Sequence, residues 1–434
     1  MPQKILDEYT KHHGSAAYTV DHYDLELTCK LASNLLEGKA VLHLRALQDL
    51  DTVQLNLHGL RVLKATCQGK KAQVSKRNHR IEVQLPSRLA AGERTELTLR
   101  YAGNPGVQNG IWGEVGWEEL TDGVLVSGQP TGAATWFPCN DHPSHKSTYR
   151  FSIATDAGYR AVANGELINH SRAASRDTWV YEQREPMASY LATLQIGRYS
   201  EIPFDEDRHL VAYAVPGMDL KVRGAFGKQT EMAEVFERHF GPYPFESYKI
   251  VVVNDELEIP LEAQGLSIFG LNHLSMDWEA QRLIAHEFSH QWWGNSLTLK
   301  RWKDIWLHEG FACFSEWLYS EAAGVMPMAE RARLAWELLD GQDQDLAMGD
   351  PGAKDMFDDR VYKRGAMALF ALLGELGTET FYTMLKEWVA ARSHGHVDTE
   401  AFIAHAQGFA PDALDVAALL RPWLYDQKLP VFPR

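Results

Sequence analysis

Cysteine is scarce in this chain: four in 434 residues, Cys29, Cys67, Cys139 and Cys313, far apart and without a CxxC pair. That spacing fits neither a disulfide framework nor a thiolate zinc site, and it suits a reducing compartment. Long apolar runs are missing too. No stretch supplies the roughly 18 uncharged apolar residues of a membrane span. The start, "MPQKILDEYT", lacks the basic segment and apolar run of a secretory signal. A cytoplasmic protein with no membrane partner is expected. Basic residues are in deficit, 43 Lys and Arg against 58 Asp and Glu, for a net charge of -15. Such a field repels phosphate backbones and anionic lipid, so nucleic acid is not expected as a partner. With 45% hydrophobic and 23% charged residues the composition is that of a globular protein, which excludes disordered and collagen-like classes. The length allows two or three domains.

From Tyr23 to about Ile202 the chain alternates apolar and polar residues in short runs such as "YDLELTCKL", "AVLHLRAL" and "TELTLRYAG", punctuated by Gly, Asn, Asp and Pro. A period of two with turn residues between predicts a mostly antiparallel β-domain over residues 1–202. The pattern then changes. "KQTEMAEVFERHFG" has helical spacing, "YKIVVVN" and "GLSIFGLN" read as short strands, and helices dominate from Ser275 onward. Residues 203–434 are expected to form an α+β domain that becomes mostly helical. Asp277 is placed to cap the helix carrying "WEAQRLIAHEFSHQWW", Gly294 and Asn295 to end it, and Asp304 to cap the next. The final "RPWLYDQKLPVFPR" is aromatic and proline-rich, and is expected to dock.

Within that helix, "HEFSHQWWGN" sets His286 and His290 four residues apart, one above the other on one face, so both imidazoles can aim at a single ion. Zinc needs a third protein ligand, and Glu309 in "WLHEGFACFSEW", on the next expected helix, is the candidate. Two imidazoles and a carboxylate leave one tetrahedral position open for water. Glu287 then falls beside that position as a general base. A metzincin is excluded, since its Gly and His positions beyond the second histidine hold Trp293 and Ser296. Glu316, two turns beyond Glu309, can either hydrogen-bond a ligating histidine from behind or stand on the solvent face of its helix. Trp292, Trp293, Trp302, Trp306 and Trp317 are expected to pack the ligand helices.

"HEFSHQWWGNSLTLKRWKDIWLHEGFACFSEW" resembles the gluzincin zinc aminopeptidases, the family of aminopeptidase N and leukotriene hydrolase. Their shared pattern is HExxH, eighteen intervening residues, then Glu in a WLNEGFA-like stretch. His308 stands where that stretch has Asn and is not expected to be a ligand. "TWFPCNDHPSHKSTYRFSI", "GPYPFESYKIVVV" and "VYKRGAMALFALL" resemble further family segments, so the likeness covers roughly residues 20 to 430. It implies a thermolysin-like catalytic domain, one zinc ion per chain, and hydrolysis of the N-terminal residue from peptides with a free amino terminus. It also implies that Tyr362 hydrogen-bonds the oxyanion, and that Glu262 in "IPLEAQGLSIFG" pairs with the substrate ammonium from a strand edge. Here Leu261 and Ala263 replace the family's Met and Asn. A second amine-binding acid of the family falls on Gln129, which can accept a hydrogen bond but carries no charge. Asp255, Glu256 and Glu258 offer nearby charge, although acids in such a run ordinarily face solvent.

Larger members continue into a helical domain that roofs the site, so the chain resembles a short form. A more open cleft is expected unless self-association restores the roof; the oligomeric state is left open. Three alternatives stand beside the aminopeptidase: a small-molecule hydrolase of epoxide type, an endopeptidase, and a non-catalytic scaffold. Retention of His286, Glu287, His290, Glu309 and Tyr362 argues against the last.

Overall fold

The computed structural model describes residues 6–77, 79–205 and 209–433. Two compact units emerge: one holds the chain up to Val222 with Phe245–His273, the other Arg223–Pro244 with Leu274–Arg434. The compact units therefore do not coincide with a cut after residue 202, and strand pairing gives the reason. A five-stranded sheet joins Ser200–Asp205, Leu210–Ala214, Tyr248–Val252, Leu266–Phe269 and Leu261–Ala263 in that order, holding the later strands in the first unit.

The first unit also holds a second five-stranded sheet, a three-stranded sheet and an eight-stranded sheet, the last with β1 (Tyr18–Lys30) and β2 (Leu35–Ala46) at its middle. The pairs of the eight-stranded sheet are antiparallel except for β1 with Lys146–Asp156, so the expected character holds there with one parallel exception. Strand Lys146–Asp156 alternates strictly between buried and half-buried residues, as a sheet with one covered face requires. In the five-stranded sheet that begins with Ser200–Asp205, Leu261–Ala263 is an edge strand, with Glu262 opposite Ser267. Ala263 anchors it in a core with Val251, Leu266 and Ile268.

The helices are α1 (Asp219–Phe226), α2 (Gln229–Phe240), α3 (Trp278–Ser289), α4 (Trp306–Ala322), α5 (Met328–Asp340), α6 (Asp359–Leu376), α7 (Thr378–Arg392), α8 (Thr399–Gln407) and α9 (Val416–Leu424). In the second unit α4 is the axis. Every residue from Trp306 to Ser320 is buried, as befits a helix that is apolar nearly all round. All five tryptophans singled out above are buried; Trp293 stacks on Phe311 at 4.2 Å. Each such side chain removed from water contributes about 1.5–3 kcal/mol.

Two expected helix ends are corrected. Asp277 does cap α3, accepting from the Ala280 N–H, but α3 stops at Ser289 rather than at Gly294 and Asn295. Asp304 does not cap α4: its carboxylate accepts from the N–H and hydroxyl of Thr399, and Ile305 is the N-cap without a side-chain bond. The C-terminal segment docks as expected. Pro430 accepts from Trp336 Nε1, and Phe432 lies against the Trp336 ring at 6.3 Å. Among the described residues no helix is long and apolar enough to cross a membrane.

Candidate metal centre

His286 sits in the last turn of α3, His290 at its C-cap, and Glu309 in the first turn of α4, all within the second unit. Their ligand atoms cluster closely enough to hold one ion. His286 Nε2 is 3.4 Å and His290 Nε2 3.5 Å from Glu309 Oε2. Tetrahedral zinc with bonds of about 2.0–2.1 Å spaces its ligand atoms about 3.3–3.4 Å apart. A direct N–H···O bond would close to about 2.7–3.2 Å. The spacing therefore suits a shared ion better than a bond between the side chains.

The hydrogen bonds behind the imidazoles fix which nitrogen faces Glu309. His286 Nδ1 donates to Glu316 Oε1 at 2.7 Å, and His290 Nδ1 donates to the Trp293 carbonyl at 2.8 Å. A carboxylate and a carbonyl only accept, so each Nδ1 carries a proton, and in the neutral imidazole it is Nε2 that offers the lone pair a metal takes. The early end of α3 makes the second bond possible. The chain turns after His290, Gly294 adopts φ +126, and the Trp293 carbonyl comes round to the ring. Gly294 tolerates that φ because it has no Cβ.

Electrostatics concentrate at the same place. Burial opposes charge on His286, but its contacts with Glu309 and Glu316 outweigh that and raise its pKa. Burial raises the pKa of Glu287, opposed by the charges of His286 and His290. Burial would also raise Glu309, yet His290 and His286 hold it well below the usual carboxylate range. Glu287 is buried on α3 next to His286. Tyr362, in the first turn of α6, stacks near His286 with ring centroids 5.9 Å apart.

His308 is buried, and its Nε2 accepts from the Leu299 N–H at 3.0 Å. That nitrogen is committed to the backbone, as expected of a residue outside the ligand set. Two participants escaped the sequence reading. The Trp293 carbonyl has no side-chain signature. Arg282 reaches Glu316 at 3.5 Å and Glu279 at 2.7 Å, and its position four residues before His286 is the signal that marks it.

The expected amine-binding residues all lie in the first unit. Glu262 and Leu261 are half-buried and Ala263 buried on the edge strand. Gln129 is half-buried in the loop after strand Gly123–Ser127. Asp255 accepts from the Thr121 N–H and hydroxyl, whereas Glu256 and Glu258 are exposed.

Residues 19–191 match the family model described as Peptidase M1 N-terminal domain, and residues 225–423 match Peptidase family M1 domain. The chain belongs to peptidase family M1. It is 25% identical over 388 residues to a leucyl aminopeptidase of Saccharolobus solfataricus, covering 83% of this chain and 48% of that protein. It spans about half the length of the curated relatives it matches. Its fold is similar to the crystal structure of an M1 zinc metallopeptidase from Deinococcus radiodurans, with TM-score 0.89 and 28% identity over 100% of both chains. A structure of a mutant of that protein bound to a Tyr-Ser-Ala substrate matches at TM-score 0.90 and 27% identity, again over 100% of both chains.

Proposed function

We propose that this chain is a zinc aminopeptidase, with one ion held by His286, His290 and Glu309. The observation that carries the reading is the pair of imidazoles with Nδ1 committed and Nε2 facing Glu309 at zinc spacing. Zinc, when bound, supplies Lewis-acid activation of water and polarisation of the scissile carbonyl. Glu287 takes the proton of the attacking water and returns it to the leaving nitrogen. The Tyr362 hydroxyl donates to the carbonyl oxygen as negative charge gathers there. Glu316 keeps His286 in the ligating tautomer.

For selectivity, we infer that Glu262 pairs with the substrate ammonium while the edge strand offers its backbone to an extended peptide. Gln129 adds an uncharged acceptor, and Leu261 and Ala263 frame the contact. The peptide bound to the Deinococcus protein and the aminopeptidase names among the relatives support a peptide substrate. We assign the work of hydrolysis to residues 203–434 and place the protein in the cytoplasm, where four free, buried cysteines are at ease.

The test compares a peptide with a free amino terminus and its N-acetylated twin, each with and without a chelator. Shortening of the free peptide alone, abolished by the chelator, is the expected result. Equal internal cleavage of both makes the protein an endopeptidase, and no cleavage of either with metal present removes the peptidase reading.

A further inference from the structure

Helix α6 carries Tyr362 and is seated against two features that the proposed chemistry does not use. On one side Gly365 meets Gly310 of α4, the residue after Glu309. A Cβ built on Gly365 would lie 2.7 Å from the Gly310 Cα, and one on Gly310 would lie 2.8 Å from the Gly365 Cα. Ordinary carbon contact is about 3.5–4.0 Å, so the two backbones touch only because neither residue has a side chain. Tyr362 lies three residues before Gly365, on the same face of α6. The glycine contact thus fixes how near the tyrosine helix comes to the helix of the carboxylate ligand.

Arg364 holds α6 by a different means. It is buried, and its guanidinium donates to the carbonyls of Pro422 (2.7 Å), Gln427 (2.9 Å), Leu346 (3.3 Å), Lys428 (3.3 Å) and Asp426. Four of these five acceptors belong to the segment Pro422–Lys428, so this arginine gathers the C-terminal segment around the start of α6. The two terminal nitrogens of a planar fork reach all of these carbonyls, where a single ammonium cannot reach as many.

We propose that Gly310, Arg364 and Gly365 are positioning residues that set the Tyr362 hydroxyl against the metal centre. The proposal rests on the reading of Tyr362 as the oxyanion donor. Misplacing a catalytic group by about 1 Å costs up to about a hundredfold in rate. The full chain, loaded with zinc and assayed on an aminoacyl anilide, gives the test. Gly365→Ala is expected to lower kcat about 10–100-fold and Arg364→Lys about 3–10-fold, with KM and zinc content nearly unchanged. Gly374→Ala, on the same helix where a Cβ meets nothing within 4 Å, should leave kcat alone.

The deciding step repeats both substitutions in a Tyr362→Phe background, where neither should cost anything further. If Gly365→Ala does not fold, Arg364→Lys carries the same cycle by itself. An undiminished loss in the Phe background, or an Arg364→Lys protein with unchanged kcat, overturns the proposal. A Tyr362→Phe protein of normal kcat instead removes the oxyanion reading and the proposal with it, so the two failures are told apart.

Discussion

The candidate metal centre and the edge strand Leu261–Ala263 stand differently against the family pattern that the sequence resembles. At the candidate metal centre His286, His290 and Glu309 come together within one unit of the molecule, each imidazole backed by a hydrogen bond and Glu309 at zinc spacing from both. On the edge strand the resemblance sets Glu262 at the family's amine-binding carboxylate, with Leu261 and Ala263 beside it in place of the family's residues, and sets the uncharged Gln129 where the family has an acid. The difference teaches where tolerance lies. A site defined by tetrahedral spacing has few solutions, whereas an ammonium can be met by one carboxylate plus assorted acceptors.

The sharpest way to break this contrast is to attack the rigid side. Glu287→Gln should lower kcat about 10²–10⁴-fold with zinc still bound, measured by turnover beside metal analysis. Retained turnover would mean that the proton has another carrier. On the tolerant side, Glu262→Gln should shrink the preference for the free over the acetylated peptide about 10–100-fold, the loss of one charge-assisted bond. A mutant that still spares the acetylated peptide would show that other groups hold the amine. Glu316→Ala should weaken zinc affinity, by competition with a chelator, by an amount of the same order, about 10–100-fold, while selectivity between the two peptides stays put. The smallest effect is a gain. Gln129→Glu should lower KM for free peptides by up to about fivefold, in keeping with a partly exposed ion pair, and an unchanged KM would place Gln129 outside amine binding.

Much of the metal centre was legible because a four-residue helical repeat is a geometric statement, and Glu309 followed at a spacing the next helix could satisfy. The β-then-α order of the fold was legible for a similar reason, since periods of two and of 3.6 residues differ plainly in "KSTYRFSIATD" and "RLIAHEFSH". Other features depend on partners distant in sequence. Asp304 looked like a cap, yet Thr399, 95 residues away, supplies its donors. The contact between Gly310 and Gly365 exists only once α4 and α6 have packed, and nothing local in either helix announces it. The end of α3 was misplaced by a turn because Gly294 and Asn295 are good terminators wherever they stand. The helix had already ended at Ser289, freeing a carbonyl for His290.

That carbonyl has a consequence for inheritance. His286 depends on Glu316, a partner that a single nucleotide change in the coding sequence can erase. His290 depends on a main-chain oxygen that persists whatever residue occupies position 293. Genetic drift can therefore strip the support from one imidazole and not from the other. Among variants that arise by chance, defects in the orientation of the first histidine should recur at Glu316. Those in the second should arise only where the turn itself is rebuilt, with Gly294 the most exposed position.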